Sequence, residues 1–352
     1  MTRSGPLGAA RVTSAPLRLQ LDTKALQANW RALDRMSGRA ACGAAVKADG
    51  YGLGAVEVAR RLAEAGCRDF FVSNWREAAE LAPLGLSVSV LHGVREEDMP
   101  AALSGIARPV LNTAEQVARW HAAGGGACDV MVDTGMNRLG LSADDLGPLG
   151  GLEIDTLMSH LARAEEDVGM NRRQRDGTAA LAGQVGARRV SLANSAGIAL
   201  GADYAFDLTR PGLALYGGVP RPGMADALRP VVRPEAQVLQ RRRVPAGGSV
   251  GYNATWVATA DTEVAILNIG YADGYLRAFS DRGAARWGGA ALPVIGRVSM
   301  DLVAVDTSTA PTLREGDWVG IAFDLPAAAA ATGLSQYELL TSLGSRYDRV
   351  WR

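Results

Sequence analysis

Lys47 closes the apolar run Ala44-Ala45-Val46 and precedes Ala48-Asp49-Gly50-Tyr51-Gly52. An amine at the end of a buried run is partly desolvated, which favours its neutral, nucleophilic form and suits Schiff-base chemistry. A solvated surface cap is the plainer reading of the same position. Other polar residues end comparable runs: Asn74, His92, Asn112, Asp133 followed by Arg138, His160, Asn194-Ser195 and Arg210. Asn194-Ser195 and Arg210-Pro211-Gly212-Leu213 offer a hydroxyl and backbone N–H groups, donors suited to an anion. A reactive lysine early in this series and phosphate donors at its end are what pyridoxal phosphate would need.

These groups must be carried by a regular framework. Eight β-rich runs, at 42–47, 68–73, 87–92, 108–112, 127–133, 152–160, 188–193 and 206–210, alternate with helical patterns. Ala55, Val58, Ala59, Leu62 and Ala63 form a helical stripe that stops at Gly66. Asn74 with Glu77, and Thr113 with Gln116, have the spacing of an N-cap and a reciprocating partner. The pattern predicts an α/β fold, an N-terminal (β/α)8 TIM-type barrel, with a doubly wound open sheet as the alternative. In such a barrel the chemistry gathers at the C-terminal ends of the strands. After Pro230 the segments 236–240, 263–268, 292–295, 302–306 and 318–323 lie between Gly, Pro and Asp turns, which predicts a mostly β C-terminal domain. The expected organisation is a loose leader at 1–16, a barrel at 17–232 and a β domain at 233–352.

Composition narrows the class. Of 352 residues, 48% are hydrophobic and 21% charged, the balance of a packed globular protein. Lys plus Arg (37) equals Asp plus Glu (37), so nothing suggests an electrostatic grip on nucleic acid or an anionic membrane. The alanine run 327–331 falls far short of the roughly 20 apolar residues a membrane span needs. No apolar stretch reads as a signal peptide, and a cytoplasmic protein is expected. Three cysteines (Cys42, Cys67, Cys128) at wide spacing offer neither a disulfide framework nor a zinc site, and read as small core hydrophobes.

The segment Ala45-Val46-Lys47-Ala48-Asp49-Gly50-Tyr51-Gly52 resembles the cofactor-lysine motif of bacterial alanine racemases. The resemblance recurs in Val132-Asp133-Thr134-Gly135-Met136-Asn137-Arg138-Leu139-Gly140, in Ala193-Asn194-Ser195-Ala196 and in Arg210-Pro211-Gly212-Leu213-Ala214-Leu215-Tyr216-Gly217. It continues in Val250-Gly251-Tyr252-Asn253-Ala254-Thr255-Trp256, Gly270-Tyr271-Ala272-Asp273-Gly274-Tyr275 and Gly296-Arg297-Val298-Ser299-Met300-Asp301. These motifs stand in family order from about residue 17 to the end.

The resemblance implies a pyridoxal 5'-phosphate-binding barrel, a C-terminal β domain, and a head-to-tail homodimer whose second domains complete each other's sites. It makes Lys47 the Schiff-base lysine and one catalytic base, and the partner's Tyr252 the other. It assigns the phosphate to Tyr51, Ser195 and the backbone of Gly212 and Leu213, with Asn194 also on the cofactor. Arg210 would face the pyridine nitrogen and His160 would lie against the ring network. Arg138 and the partner's Met300 backbone would receive the substrate carboxylate, with Tyr271 and Asp301 nearby. No metal is implied. The implied reaction interconverts L- and D-alanine and supplies D-alanine for peptidoglycan. A racemase of broader range and a fold-related decarboxylase of basic amino acids are the alternatives. Racemisation removes a proton from one face of Cα and returns one to the other, so two opposed bases are the economical solution.

Three positions depart from the family pattern. Met131 stands where many members carry a lysine, often carbamylated, two residues before Asp-Thr-Gly, so Arg138 must be oriented by water, an anion or Asp133. Ser191 replaces a histidine. Ser345 stands where some members place a gating tyrosine, and a smaller gate would admit larger side chains. Trp75 and His92 match no motif and are expected to be packing or rim residues.

Overall fold

The structure, a computed structural model, describes residues 14–142 and 145–352; of the expected leader, 1–13 lie outside the described residues. The chain divides into two compact units. The larger comprises Leu21–Val232, Asp324–Ser342 and Trp351–Arg352, and the smaller Arg233–Phe323, Leu343–Val350 and, of the described N-terminal residues, 14–20.

In the larger unit seven parallel strands pair in chain order: Ala44–Ala45, Asp69–Val72, Ser87–Val90, Arg108–Leu111, Cys128–Met131, Ile154–Met158 and Arg189–Ser191. An eighth, Leu208–Thr209, closes the ring. It pairs in parallel with Ala41–Cys42, and Gly43 N–H donates to Thr209 O (2.9 Å) and Ala45 N–H to Pro211 O (2.8 Å). On its other side Asp207 N–H donates to Val190 O (3.0 Å) and Arg210 N–H to Ala193 O (2.8 Å). The eight expected strands are therefore those of a closed barrel. Most are buried on both faces, which is why they read as continuous runs and not as alternating ones.

The helices follow from local chemistry. Ala55–Ala65 buries Ala55, Val58, Ala59 and Leu62 and stops at Gly66, whose φ of 121° suits glycine. Asn74 caps Trp75–Leu81 by accepting the N–H of Glu77 (3.1 Å), and Thr113 caps Ala114–Ala122 by accepting that of Gln116 (3.2 Å). The reciprocal half of each expected cap lands one residue earlier. Glu77 accepts from Ser73 N–H (2.7 Å) and Gln116 from Asn112 N–H (2.8 Å), so each helix is tied to the end of the preceding strand.

Charge fills the N-terminal half of the barrel interior. Arg189 on the seventh strand donates to Asp69 on the second (2.9 Å) and to Asp155 on the sixth (2.7 Å). The second and seventh strands are not neighbours, so this pair crosses the interior. Arg108 stands 3.6 Å from both Asp129 and Asp155, and Ser89 donates to Asp129 (2.6 Å). Burial opposes ionisation of Asp155, yet hydrogen bonds from Arg189 and Arg188 outweigh it and hold its pKa at about 2.

The smaller unit is mostly β. Its sheet runs Ala290–Pro293, Ala284–Trp287, Trp318–Ile321, Val232–Val244, Leu17–Leu21, Asp348–Trp351, with Thr262–Leu267 on the long strand and Val303–Asp306 beyond it. A short hairpin, Ser249–Val250 with Trp256–Val257, carries Tyr252 in its turn. Two helices of the C-terminal region, Leu325–Thr332 and Gln336–Thr341, belong instead to the barrel unit.

Removing one member of the buried ionic ladder leaves charge without its partner. Asp155→Asn is expected to lower the unfolding free energy by about 3 kcal/mol, read by urea denaturation. Because the native pKa of Asp155 is depressed, its contribution is complete above about pH 4 and is lost as pH falls toward 2. The difference between wild type and variant should shrink over that window.

Candidate active site

A cavity of about 660 Å³ opens at the C-terminal ends of the barrel strands, within the size range of small-molecule sites. Lys47, Tyr51, Arg138, His160, Asn194, Ser195, Arg210, Gly212 and Leu213 line it together. Those nine expected site residues come from five different strand ends or the loops that follow them, so barrel closure is what assembles them.

Lys47 follows the first strand and begins a turn of unusual handedness. Ala48, Asp49, Gly50, Tyr51 and Gly52 have φ of 53°, 53°, 61°, 55° and 84°. Left-handed backbone costs roughly 1–2 kcal/mol per non-glycine residue, so this turn must be held by specific bonds. Gly50 N–H reaches Val46 O (2.9 Å), Asp49 accepts from Ala55 N–H (2.9 Å), and Ala48 N–H donates to Glu77 (2.9 Å). The turn sends Tyr51 inward, where its ring stacks on Tyr216 (centroids 4.6 Å apart). Burial lowers the basicity of Lys47; Arg138 and Arg210 add to that, and Glu77 opposes it.

Arg210 is buried and, among the described residues, its guanidinium is bonded only to neutral acceptors: Ser191 Oγ, Ser159 O (2.6 Å) and, at the long distance of 3.5 Å, His160 Nδ1. Burial draws its pKa down to about 10, so it stays cationic at neutral pH. His160 is held neutral, its pKa pushed down to about 3 by burial and then by Arg210, Arg138 and Lys47. Since a guanidinium only donates, Nδ1 carries the lone pair and Nε2 the proton.

Ser195 Oγ accepts the N–H groups of Gly212 (2.9 Å) and Ala214 (3.2 Å), which leaves its own proton free to donate. Any Cβ on Gly212 would lie 2.1 Å from Tyr51 Oη, so glycine is what lets that hydroxyl approach the loop. Asn194 accepts from Gly197 N–H (2.9 Å) and caps the short helix that begins with Ser195.

Asp133 does not orient Arg138. Its carboxylate accepts the N–H groups of Gly135 (2.8 Å), Met136 (2.9 Å) and Asn137 (2.9 Å), and so builds the loop that presents Arg138. Arg138 is exposed toward the cavity and makes no hydrogen bond or ion pair among the described residues. Met131 lines the same cavity.

Tyr252, Tyr271, Met300 and Asp301 belong to the smaller unit and are not among the residues lining the cavity. Tyr252 is 67% exposed and Met300 54% exposed. Tyr271 N–H donates to Ser299 O (3.0 Å) and Ala272 N–H to Met300 O (3.0 Å), while Arg346 bridges Asp273 (2.6 Å) and Asp301 (2.7 Å). The two loops approach so closely that a Cβ on Gly270 would sit 2.3 Å from Met300 O.

Two cavity residues, and one whose bonds hold the neighbouring loops, escape the sequence reading. Glu77, whose carboxylate accepts the N–H groups of Ala48 and Ser73, reads there only as a cap partner. Tyr337, its ring centroid 6.3 Å from that of Tyr51, and Thr341 lie in a short C-terminal helix that no periodic stripe announces. Trp75 is buried, with Nε1 donating to Gly93 O (2.8 Å), and His92 stands on the rim.

Residues 21–220 match the family description "Alanine racemase, N-terminal domain" and residues 231–351 match "Alanine racemase, C-terminal domain". The chain is 43% identical over 350 residues to the alanine racemase of Acidiphilium cryptum, covering 94% of this chain and 98% of that one. It is 44% identical over 354 residues to the alanine racemase of Dinoroseobacter shibae, covering 95% and 98%. The crystal structure of alanine racemase from Bartonella henselae with covalently bound pyridoxal phosphate superposes with a TM-score of 0.88 at 35% identity, over 96% of this chain and 99% of that one.

The electrostatics of His160 have a direct readout. Its ring 15N signals are expected to stay those of a neutral imidazole protonated at Nε2 from pH 8 down to about pH 4. The unfolded chain takes up that proton near pH 6.5, so His160 destabilises the native state increasingly as pH falls from about 6.5 toward 3. A His160→Gln variant should lack that part of the acid sensitivity.

Proposed function

The chain belongs to the alanine racemase family, and on that premise we propose that it is an isomerase that interconverts L- and D-alanine with pyridoxal phosphate, as a homodimer with shared sites. The observation that carries this reading is the company Lys47 keeps: a half-buried amine of lowered basicity shares one cavity with phosphate-type donors and a buried guanidinium.

The residues fit the cofactor. The free hydroxyl proton of Ser195, the hydroxyl of Tyr51 and the backbone at Gly212 and Leu213 suit a phosphate; the Leu213 N–H opens a 3-10 turn and has no acceptor within it. Lys47 would hold the cofactor covalently, with Asn194 and His160 beside it. Arg210 would face the ring nitrogen, where a permanently protonated group without an acceptor donates a hydrogen bond and disfavours ring protonation. When bound, pyridoxal phosphate acts as an electron sink that acidifies the Cα–H of the amino acid attached to it.

This chain's residues then move the proton. Lys47 Nζ serves one face of Cα, and Tyr252 Oη of the partner subunit serves the other. Support for the shared site comes from exposure: Tyr252, Met300 and Leu302 leave large apolar surface in water on one unit, which a second copy would cover. Arg138, unpaired among the described residues, is free to receive the substrate carboxylate together with the backbone of the partner's Met300, with Tyr271 and Asp301 in support. The role we infer is supply of D-alanine for peptidoglycan in the cytoplasm. No helix among the described residues is long and apolar enough to cross a membrane.

Purified protein incubated with L-alanine and pyridoxal phosphate in deuterated water is expected to yield D-alanine carrying deuterium at Cα. Absence of D-alanine, with the cofactor bound, would overturn the alanine assignment. Tyr252→Phe is expected to slow racemisation by about 10²–10⁴-fold while still exchanging Cα–H of one enantiomer without inverting it, because one base remains. Lys47→Ala should abolish both.

A further inference from the structure

The carboxylate of Glu77 spans two loops of the barrel mouth. One oxygen accepts the N–H of Ala48 (2.9 Å), directly after Lys47, and the other accepts the N–H of Ser73 (2.7 Å), at the end of the second strand. We propose that Glu77 is a positioning residue for Lys47: it pins the left-handed turn that begins at Ala48 to the neighbouring strand end and so sets where the Lys47 amine stands in the cavity.

The choice of residue type supports this. Two strands further round the barrel Gln116 makes the equivalent span, accepting from Asn112 N–H (2.8 Å) and donating to His92 O (3.2 Å). There one partner is a donor and the other an acceptor, which an amide matches. Glu77 faces two donors, which only a carboxylate can satisfy with both oxygens. The bonded N–H of Ala48 belongs to the first of five successive residues with positive φ, so this is where the turn most needs an external anchor. Of the charged groups that act on Lys47 among the described residues, Arg138, Glu77 and Arg210, Glu77 is the carboxylate.

The inference rests on Lys47 being the cofactor lysine, and the chain makes the two claims separable. It has two lysines, Lys47 and the exposed Lys24. Each is labelled in turn by pyridoxal phosphate with borohydride trapping and by formaldehyde with cyanoborohydride, and quantified by peptide mass spectrometry from pH 6 to 11. Formaldehyde needs only a free amine; pyridoxal phosphate needs the amine placed correctly against the phosphate donors. In Glu77→Gln the plateau rate of pyridoxal phosphate capture at Lys47 is expected to fall about tenfold, because small misplacement is costly in oriented reactions. The formaldehyde plateau should be unchanged, and the midpoint of both profiles should move to lower pH, since a carboxylate favouring the ammonium form has gone. Glu77→Asp should restore the midpoint but not the plateau. Lys24 labelling and the thermal midpoint report on folding. A pyridoxal phosphate plateau within about twofold of wild type in both Glu77→Gln and Glu77→Ala overturns the proposal. Capture at Lys24 or the N-terminus in preference to Lys47 in the wild type overturns the Lys47 reading itself, and this proposal with it.

Discussion

A buried guanidinium that makes no ion pair among the described residues governs the barrel mouth. Taking an ion out of water costs several kcal/mol even after relaxation, and Arg210 is repaid only by neutral acceptors, Ser191 Oγ, Ser159 O and His160 Nδ1. Its neighbours adjust to that charge. His160 stays neutral near neutral pH and so offers a lone pair. Lys47, near the same cation and near Arg138, gives up its own proton more readily than a solvated lysine does. The position of Ser191 needs an oxygen that accepts from Arg210 while donating to Leu208 O, a double role that a hydroxyl performs.

The two halves of the barrel treat charge in opposite ways. Toward the N-terminal ends of the strands, Asp69, Asp129 and Asp155 face Arg108, Arg188 and Arg189 in a closed set of pairs. At the C-terminal ends the cavity holds Lys47, Arg138 and Arg210, and its carboxylate, Asp133, is consumed by three backbone N–H groups. A closed set needs no ligand. An open excess of positive charge in a cavity of this size attracts anions, and a phosphate and an amino-acid carboxylate are the anions the proposed reaction brings there.

Precision comes from side chains that reach between loops. Glu77 joins the turn after the first strand to the end of the second, Trp75 joins the second loop to the third, and Gln116 joins the third to the fourth. On the opposite wall Gln174 donates to His160 O (2.9 Å) and accepts from Ala162 N–H (2.9 Å). Loops that would otherwise wander are thereby tied to helices whose own positions are set by packing. The Asp324–Ser342 segment adds Tyr337 to the aromatic group of Tyr51 and Tyr216, although it is far from both in the chain.

Much of this was legible in the residues because it is local. A strand buried on both faces is a continuous apolar run, and a polar residue that ends such a run stands at the barrel mouth, which is how Lys47, His160, Ser195 and Arg210 declare themselves. Caps at Asn74 and Thr113 are read from spacing for the same reason. What stayed hidden depends on distance between segments far apart in sequence. Glu77 looks like a capping partner until the barrel brings Ala48 to its second oxygen. Asp133 looks available to Arg138 until the loop folds back and uses both its oxygens. Tyr337 sits in a helix too short to show periodicity, and its place beside Tyr51 follows from packing alone. Sequence by itself determined the elements, the family and the chemical types at the mouth, since these rest on side-chain polarity and backbone preference along a few residues. Tertiary structure alone decided protonation states, hydrogen-bond partners and the attachment of the C-terminal helices, since burial and proximity exist only once the eight strands close.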